Sequence, residues 1–289
     1  MKTIPFTTVC LLGLASLCTL PALQAAVDYE SARYVEFKAL KGNYDDAKKW
    51  ENKQVPGIKE NAAFKMAGSV ATLSSPVPLV NGVLVGASGA GASLYITEGA
   101  QLTFKAYLRA YSNMANTKGF IDMTGGKVDS EFGLLRVGTS ATFSAQGVMT
   151  ISGGTLRCGI YVGEIAAAKG SGLLVVKGAR ANIAAAEKSP GGFIDETGAV
   201  EFVLDETGVS PIDFSTRTFK FSKGSAIRVD ASAYTGPTKR IPLILAAKWI
   251  AVENAALSVS AQPKNGTATV EIGKIGKQNA VFLNVSAKP

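Results

Sequence analysis

The chain has 289 residues, 47% of them apolar, with 31 glycines, 18% charged residues, a net charge of +8 and no histidine. The apolar content and low charge exclude disorder over most of the length, and the 11 prolines are too few for a collagen or a mucin-like stalk. Without imidazole, neither a serine or cysteine triad nor a His-ligated zinc is available.

Residues 1–25 read as an export signal. Lys2 gives the positive start, Phe6 to Leu20 is an apolar run, and Ala22-Leu23-Gln24-Ala25 places a small residue at the cut. The run is shorter than the ~20 residues that span a bilayer and no basic stop follows it, so the mature chain is expected to carry no transmembrane segment. Leu17 before Cys18 is wrong for a lipobox, and Cys10 and Cys18 leave with the signal. Cys158 then remains alone in the apolar stretch Leu156-Arg157-Cys158-Gly159-Ile160, which suits a buried filler rather than a reactive thiol. Lys2 is the only charged side chain of the signal, so the basic excess persists after export. It favours polyanionic surfaces as a non-specific field, whereas the lack of a basic run interleaved with aromatics argues against nucleic acid.

Residues 26–80 are expected to form an N-terminal cap and the first strands. Trp50 precedes the turn Val55-Pro56-Gly57 and is better placed to cover the first coil of a repeat than to stack on a sugar. Asp45 and Asp46 lack the glycine-bracketed loop and downstream Glu of an EF-hand, so no calcium site is expected there.

Residues 81–188 carry the strongest signal, an internal repeat. Gly91-Ala-Ser-Leu-Tyr-Ile-Thr-Glu-Gly99, Gly119-Phe-Ile-Asp-Met-Thr-Gly-Gly126, Gly147-Val-Met-Thr-Ile-Ser-Gly-Gly154 and Gly172-Leu-Leu-Val-Val-Lys-Gly178 each run from glycine to glycine through a short alternating strand. A second landmark precedes them: Leu84-Val85-Gly86, Arg136-Val137-Gly138 and Tyr161-Val162-Gly163, with Tyr107-Leu108-Arg109-Ala110 in the remaining unit. The closing glycines recur at a period inside the ~20 to 50 residues that mark solenoids and propellers. Aligned on them, Leu94, Ile121, Met149 and Leu173 form one inward column, and Ile96, Met123, Ile151 and Val175 a second, two residues on as the pleat requires. Tyr95, Asp122, Thr150 and Leu174, then Thr97, Thr124, Ser152 and Val176, fall outside. Leu102, Val128, Leu156 and Ile183 give a third apolar column. Each unit has room for about three short strands, fewer than a propeller blade needs, so the expected fold is all-β: a parallel β-helix of either hand, whose coils bury a shared core by stacking.

The alternation of a Val-Gly landmark with Gly-x-Leu/Met-x-Ile-Ser/Thr-Gly-Gly-x-Leu resembles the β-strand repeats of exported bacterial β-helix proteins of the autotransporter passenger type. Gly42-Asn43-Tyr44-Asp45-Asp46-Ala47-Lys48-Lys49-Trp50, with Val55-Pro56-Gly57 and Ala62-Ala63-Phe64, is similar to their opening segment. Tyr44 departs from that pattern, standing where a Trp is common, and no outer-membrane barrel or sorting tail is recognised. The resemblance covers residues 40–185 and implies a fold, not an activity, because such repeats serve adhesins, enzymes and scaffolds alike.

Residues 189–289 are expected to form a C-terminal β module, with a boundary at Ser189-Pro190-Gly191-Gly192. Two-faced strands are read at Val200 to Leu204, Thr218 to Phe221, Ala226 to Asp230, Ile241 to Leu245, Leu257 to Ser260, Ala268 to Ile272 and Val281 to Val285, with turns at Thr235-Gly236-Pro237, Pro263 to Gly266 and Gly273 to Gly276. The module is either a run of irregular coils or a small sandwich-like cap. Ala246 to Ala251 is read as one helical turn, with Trp249 a core or cap residue.

No catalytic, metal or cofactor motif emerges, and the glycine-rich segments carry neither Gly-Lys-Ser/Thr nor a dinucleotide fingerprint. Tyr95 and Asp122 are ligand-face candidates on the outer column. Asp129 and Glu131 could share a face, with Lys127 and Arg136 near them, and Glu98 and Glu164 are further outward acids. The sequence therefore favours an exported, non-catalytic structural or adhesive β-solenoid, outside the cell, at its surface or in the periplasm. Its partners would be polysaccharide, matrix or a second copy of itself. The alternative is a polysaccharide lyase or hydrolase acting through Asp129 and Glu131.

Overall fold

A computed structural model describes residues 32–111, 115–138, 144–163 and 170–287. The export signal read over residues 1–25 and the outward acid Glu164 lie outside these ranges. Residues 32–289 form one compact unit, a parallel β-solenoid of about 8 turns. Among the described residues no helix is long and apolar enough to cross a membrane.

Each turn contributes to two sheets. The larger, sheet I, has 12 strands and begins at Arg33–Glu36; the smaller, sheet II, has 10 and begins at Lys41–Asn43. In sheet I the strand Lys127–Val137 pairs with its neighbours in two stretches separated by a register break between Asp129 and Leu134. Two turns further on, the same two stretches are separate strands, Ala181–Ala184 and Gly192–Ile194, both pairing with Gly154–Val162. A coil thus has three segments, as the repeat length requires, and two of them usually run together around a bulge.

The columns of sheet II follow the alternation. Leu94, Ile121 and Met149 are in register, as are Ile96, Met123 and Ile151, and all six are buried. The fourth unit corrects the expected register by one residue: Leu174 aligns with Met149 and Val176 with Ile151, so Leu174 and Val176 are inward while Leu173 and Val175 face out. The opening glycine holds the true register. Gly119, Gly147, Gly172 and Gly198 align in one row, where the start of a sheet II strand meets the end of a sheet I strand. A Cβ on Gly119 would lie 2.0 Å from the Val85 carbonyl oxygen, and on Gly147 2.1 Å from that of Ala110, distances that no side chain tolerates. The closing glycines are needed for another reason, since Gly99, Gly126, Gly154 and Gly178 all take a left-handed φ of +68 to +83°, but the length of chain around them varies. The closing glycine follows the last inward residue by three positions at Ile151 to Gly154 but by two at Val176 to Gly178, and the sheet I strand then resumes at Ala181, opposite Gly154, which moves any alignment made on the closing glycine. The third column, Leu102, Val128, Leu156 and Ile183, is buried and in register as expected, and continues to Ile212 and Ile244.

The repeat is longer than residues 81–188 at both ends. Arg33–Glu36 and Glu60–Phe64 already pair in parallel with the strands that follow, so the cap is an insertion into early coils. There Phe37, Tyr44, Trp50 and Phe64 form an aromatic cluster with centroid separations of 5.0 to 5.9 Å. The Trp50 indole N–H donates to the Tyr44 carbonyl oxygen at 2.7 Å, and Trp50 is buried, covering the core rather than offering a sugar platform. At the other end, Ser189-Pro190-Gly191-Gly192 is a corner within one coil, and parallel pairing in sheet II continues through Gly198–Val203 and Ala226–Asp230 to Ala256–Ala261. Of the two readings of residues 189–289, irregular coils describe most of the segment, and the expected boundary at 189 is not a break. The inward pair of sheet II continues here as Ile227 and Val229, but Phe219 and Phe221 fall in the sheet I rows of Ile160 and Val162 and Ser225 precedes Ala226 where Gly198 precedes Ala199, which hides the period in the sequence. The helical turn expected over 246–251 is instead the end of strand Lys239–Ile250; Ala251 takes a left-handed conformation and a 3-10 turn, Val252–Asn254, follows. Trp249 packs against the core. Sheet I then ends in an antiparallel hairpin, Gly266–Ile275 and Gln278–Ala287, whose turn lies at Gly276-Lys277 rather than over 273–276.

Candidate functional site

Three consecutive strands of sheet II, Ala92–Ile96, Thr117–Met123 and Ala145–Ile151, present two outward rows. Ser93, Phe120 and Val148 are aligned in one; Tyr95, Asp122 and Thr150 in the other. Stacked strands are ~4.8 Å apart, so the second row sets a phenol, a carboxylate and a hydroxyl side by side. Between the rows lies a shallow depression of about 230 Å³ lined by Ser93, Tyr95, Phe120, Asp122, Val148 and Thr150. It is smaller than the ~300–1,000 Å³ of an enclosing ligand pocket. Tyr95 is 41% and Phe120 37% exposed, high for large rings at the centre of a sheet. Asp122 has no hydrogen-bond or ion-pair partner among the described residues. Burial beside these rings raises its carboxyl above the ordinary value, and the field of Lys177 offsets part of that rise.

The other expected pair behaves differently. Asp129 is held by Arg157 through two hydrogen bonds, Nε to Oδ1 at 3.0 Å and Nη2 to Oδ2 at 2.6 Å, with Lys127 Nζ 3.4 Å from Oδ2. Burial alone would raise its carboxyl, but these cations outweigh it and hold the group below the usual carboxylate range. Glu131 pairs with Lys188 at 2.6 Å, and that ammonium also lies 5.1 Å from the Phe132 ring centre. Asp129 and Glu131 therefore lie near each other in sequence but each has its own cation, and Arg136 makes no ion pair with either among the described residues. A general acid must hold a proton near neutral pH; a carboxyl pushed downward by a bidentate guanidinium does the opposite.

Cys158 is fully buried, and desolvation pushes its thiol up to about 12, so at neutral pH it is a small apolar filler. Among the described residues, no three His, Cys, Asp or Glu side chains are placed to share a metal ion. The structure thus brings Tyr95 and Asp122 together in one groove and leaves Asp129 and Glu131 on the other sheet. Sequence reasoning passed over Phe120, Ser93, Val148 and Thr150 as ligand contacts. The signal for Phe120 was present: its alternation with inward Ile121 already put a large ring on the solvent face. No protein-family model and no curated protein matches this chain.

Proposed function

We propose that this protein is an exported, non-catalytic β-solenoid that binds neutral glycan on the outer face of sheet II, in a structural or adhesive role resembling that of autotransporter passenger repeats. The observation that carries the reading is the groove of Tyr95, Phe120, Asp122 and Thr150. Two half-exposed rings offer flat apolar faces to the C–H side of a sugar, a carboxylate free of cationic contacts can accept from vicinal hydroxyls, and Thr150 adds a donor and acceptor. The size of the depression suits one ring of a chain lying across the strands. Anionic glycans would meet Asp122, so the net positive charge acts only as a long-range field. Tethering many copies, or engaging a polymer at many sites, would supply avidity to a weak single contact.

The test is binding of the purified protein to soluble neutral and acidic polysaccharides by affinity electrophoresis. Retardation by a neutral polymer that is weakened about tenfold or more in Tyr95→Ala and Asp122→Ala supports the reading. Retardation that is indifferent to both substitutions, or chain cleavage that disappears in Asp129→Asn, overturns it.

A further inference from the structure

The strand Gly266–Ile275 closes sheet I, and among the described residues it pairs only with Gln278–Ala287. A strand edge of this length is a template for another strand unless it is blocked. One position is blocked. The Gln262 side chain accepts from the Ala268 N–H at 2.6 Å and donates to the Ala268 carbonyl oxygen at 3.2 Å, so both backbone groups of Ala268 point away from the hairpin partner. In an antiparallel ladder that orientation repeats at every second residue. The backbone groups of Val270, Ile272 and Lys274 therefore point outward too, and among the described residues no side chain hydrogen-bonds to them.

Side chains on the same strand sort by parity. Ala268 lies in the core and Val270 packs against it, which puts Ile272 and Lys274 on the core side of the sheet. Ile272 lies beyond the covered region and is 42% exposed. On the opposite side, Arg240 stacks over Phe282 with its guanidinium carbon 3.5 Å from the ring centre, pairs with Glu271 at 2.6 Å, and overlies Gly273, where a Cβ would come within 2.5 Å of Nη2.

We infer that this edge pairs with the same edge of a second copy of the chain, antiparallel about a two-fold axis at Ile272. Such an axis keeps each face of the sheet continuous, so residues of like parity must meet. Centred on Ile272, the pairing sets Ile272 against Ile272, Val270 against Lys274 and Glu271 against Gly273. Those even positions are the ones whose N–H and C=O groups point outward, giving about six intermolecular backbone bonds. Each Glu271 would then lie beside the Arg240 that overlies Gly273 of the other copy, so an ion pair now made within one chain extends into a four-membered network across the axis. Moving the axis to Glu271 opposes two carboxylates, and moving it to Gly273 sets Ile272 against Lys274; only the axis at Ile272 pairs the two exposed isoleucines with each other.

Sedimentation velocity on the purified protein tests this. A concentration-dependent dimer is expected, and Ile272→Lys should convert it to monomer while leaving the thermal midpoint equal to that of the wild type at concentrations where the wild type is itself monomeric. Glu271→Arg and Arg240→Glu should each weaken dimerisation about tenfold or more by opposing like charges. Mixing these two variants should restore a mixed dimer, because each substitution then meets the opposite charge across the axis. A wild-type chain that stays monomeric at high micromolar concentration, a dimer unaffected by Ile272→Lys, or a mixture that gives no mixed dimer would each overturn the inference.

Discussion

Two carboxylates on the outside of this solenoid, Asp122 on sheet II and Asp129 on sheet I, occupy similar positions in successive strands and have opposite environments. Asp129 finds Arg157 directly beside it on the next coil and Lys127 two residues back on its own strand. Asp122 finds Tyr95 and Thr150 at the same distance along the stack, with Phe120 two residues back. Stacking puts every outward residue between two neighbours fixed by register, so a column either neutralises its charges or leaves them for something else. On sheet I the charge is neutralised within the structure; on sheet II it faces a groove between rings.

The sharpest way to break this comparison is to invalidate the register on which it rests. Leu174→Asp should abolish cooperative melting, because an unpaired buried carboxylate costs several kcal/mol, and Met123→Asp should do the same. Leu173→Asp, one residue away and facing out, should lower stability by no more than about 1 kcal/mol. Circular dichroism melts of the pair decide it, and equal damage from the two would contradict the assigned register.

Next in size is binding. If the groove holds a sugar ring, Tyr95→Ala should weaken a neutral polysaccharide about tenfold, corresponding to ~1.4 kcal/mol of lost stacking and contact, whereas Glu131→Gln should change nothing. Binding by the wild type should also decline with acidification at a higher pH than an ordinary carboxylate would give, since the carboxyl of Asp122 is raised, and the decline should be absent in Asp122→Asn. Titration calorimetry across mildly acidic buffers checks both.

The stability profiles of the two carboxylates should differ in sign. Asp129 is depressed in the folded state, so its contribution is present above the unfolded carboxyl value and lost as pH falls through the lower folded one. Asp129→Asn should therefore destabilise at neutral pH, by a few tenths to about 1 kcal/mol for a partly exposed pair, and become equivalent to wild type in strong acid. Asp122 is raised, so ionising it opposes folding as pH climbs from the unfolded value through the folded one, and Asp122→Asn should be neutral or slightly stabilising at pH 7. Denaturant melts at neutral and acidic pH separate the two, and a parallel response would remove the distinction.

Where the sequence repeats itself, it was legible. The core rows through Leu94, Ile121 and Met149 follow from alternation between glycine corners, and Leu102 to Ile183 follow from the position after them. The slip at Leu173 came from aligning on closing glycines, whose distance from the last inward residue varies, when the opening glycines Gly119, Gly147 and Gly172 stand in one register row. Beyond residue 190 the coils persist and Ile227 and Val229 keep the inward pair, but Phe219 and Phe221 take the sheet I rows of Ile160 and Val162 and no opening glycine marks the start of Ala226–Asp230, so the landmarks that made the repeat readable are gone. Tyr95 and Asp122 could be put on one face by counting. The same count sets Arg157 beside Asp129, each directly after a residue of the third column, Val128 and Leu156, but the bidentate hold of the guanidinium is a matter of side-chain geometry that no count supplies.

The most direct measurement is hydrogen–deuterium exchange of the protein with and without a saturating neutral oligosaccharide. Slowed exchange is expected, confined to Ala92–Ile96, Thr117–Met123 and Ala145–Ile151, the strands that line the groove. Protection centred instead on Lys127–Val137 and residue 188, or no protection under conditions where the polymer is retained, would contradict binding in the groove.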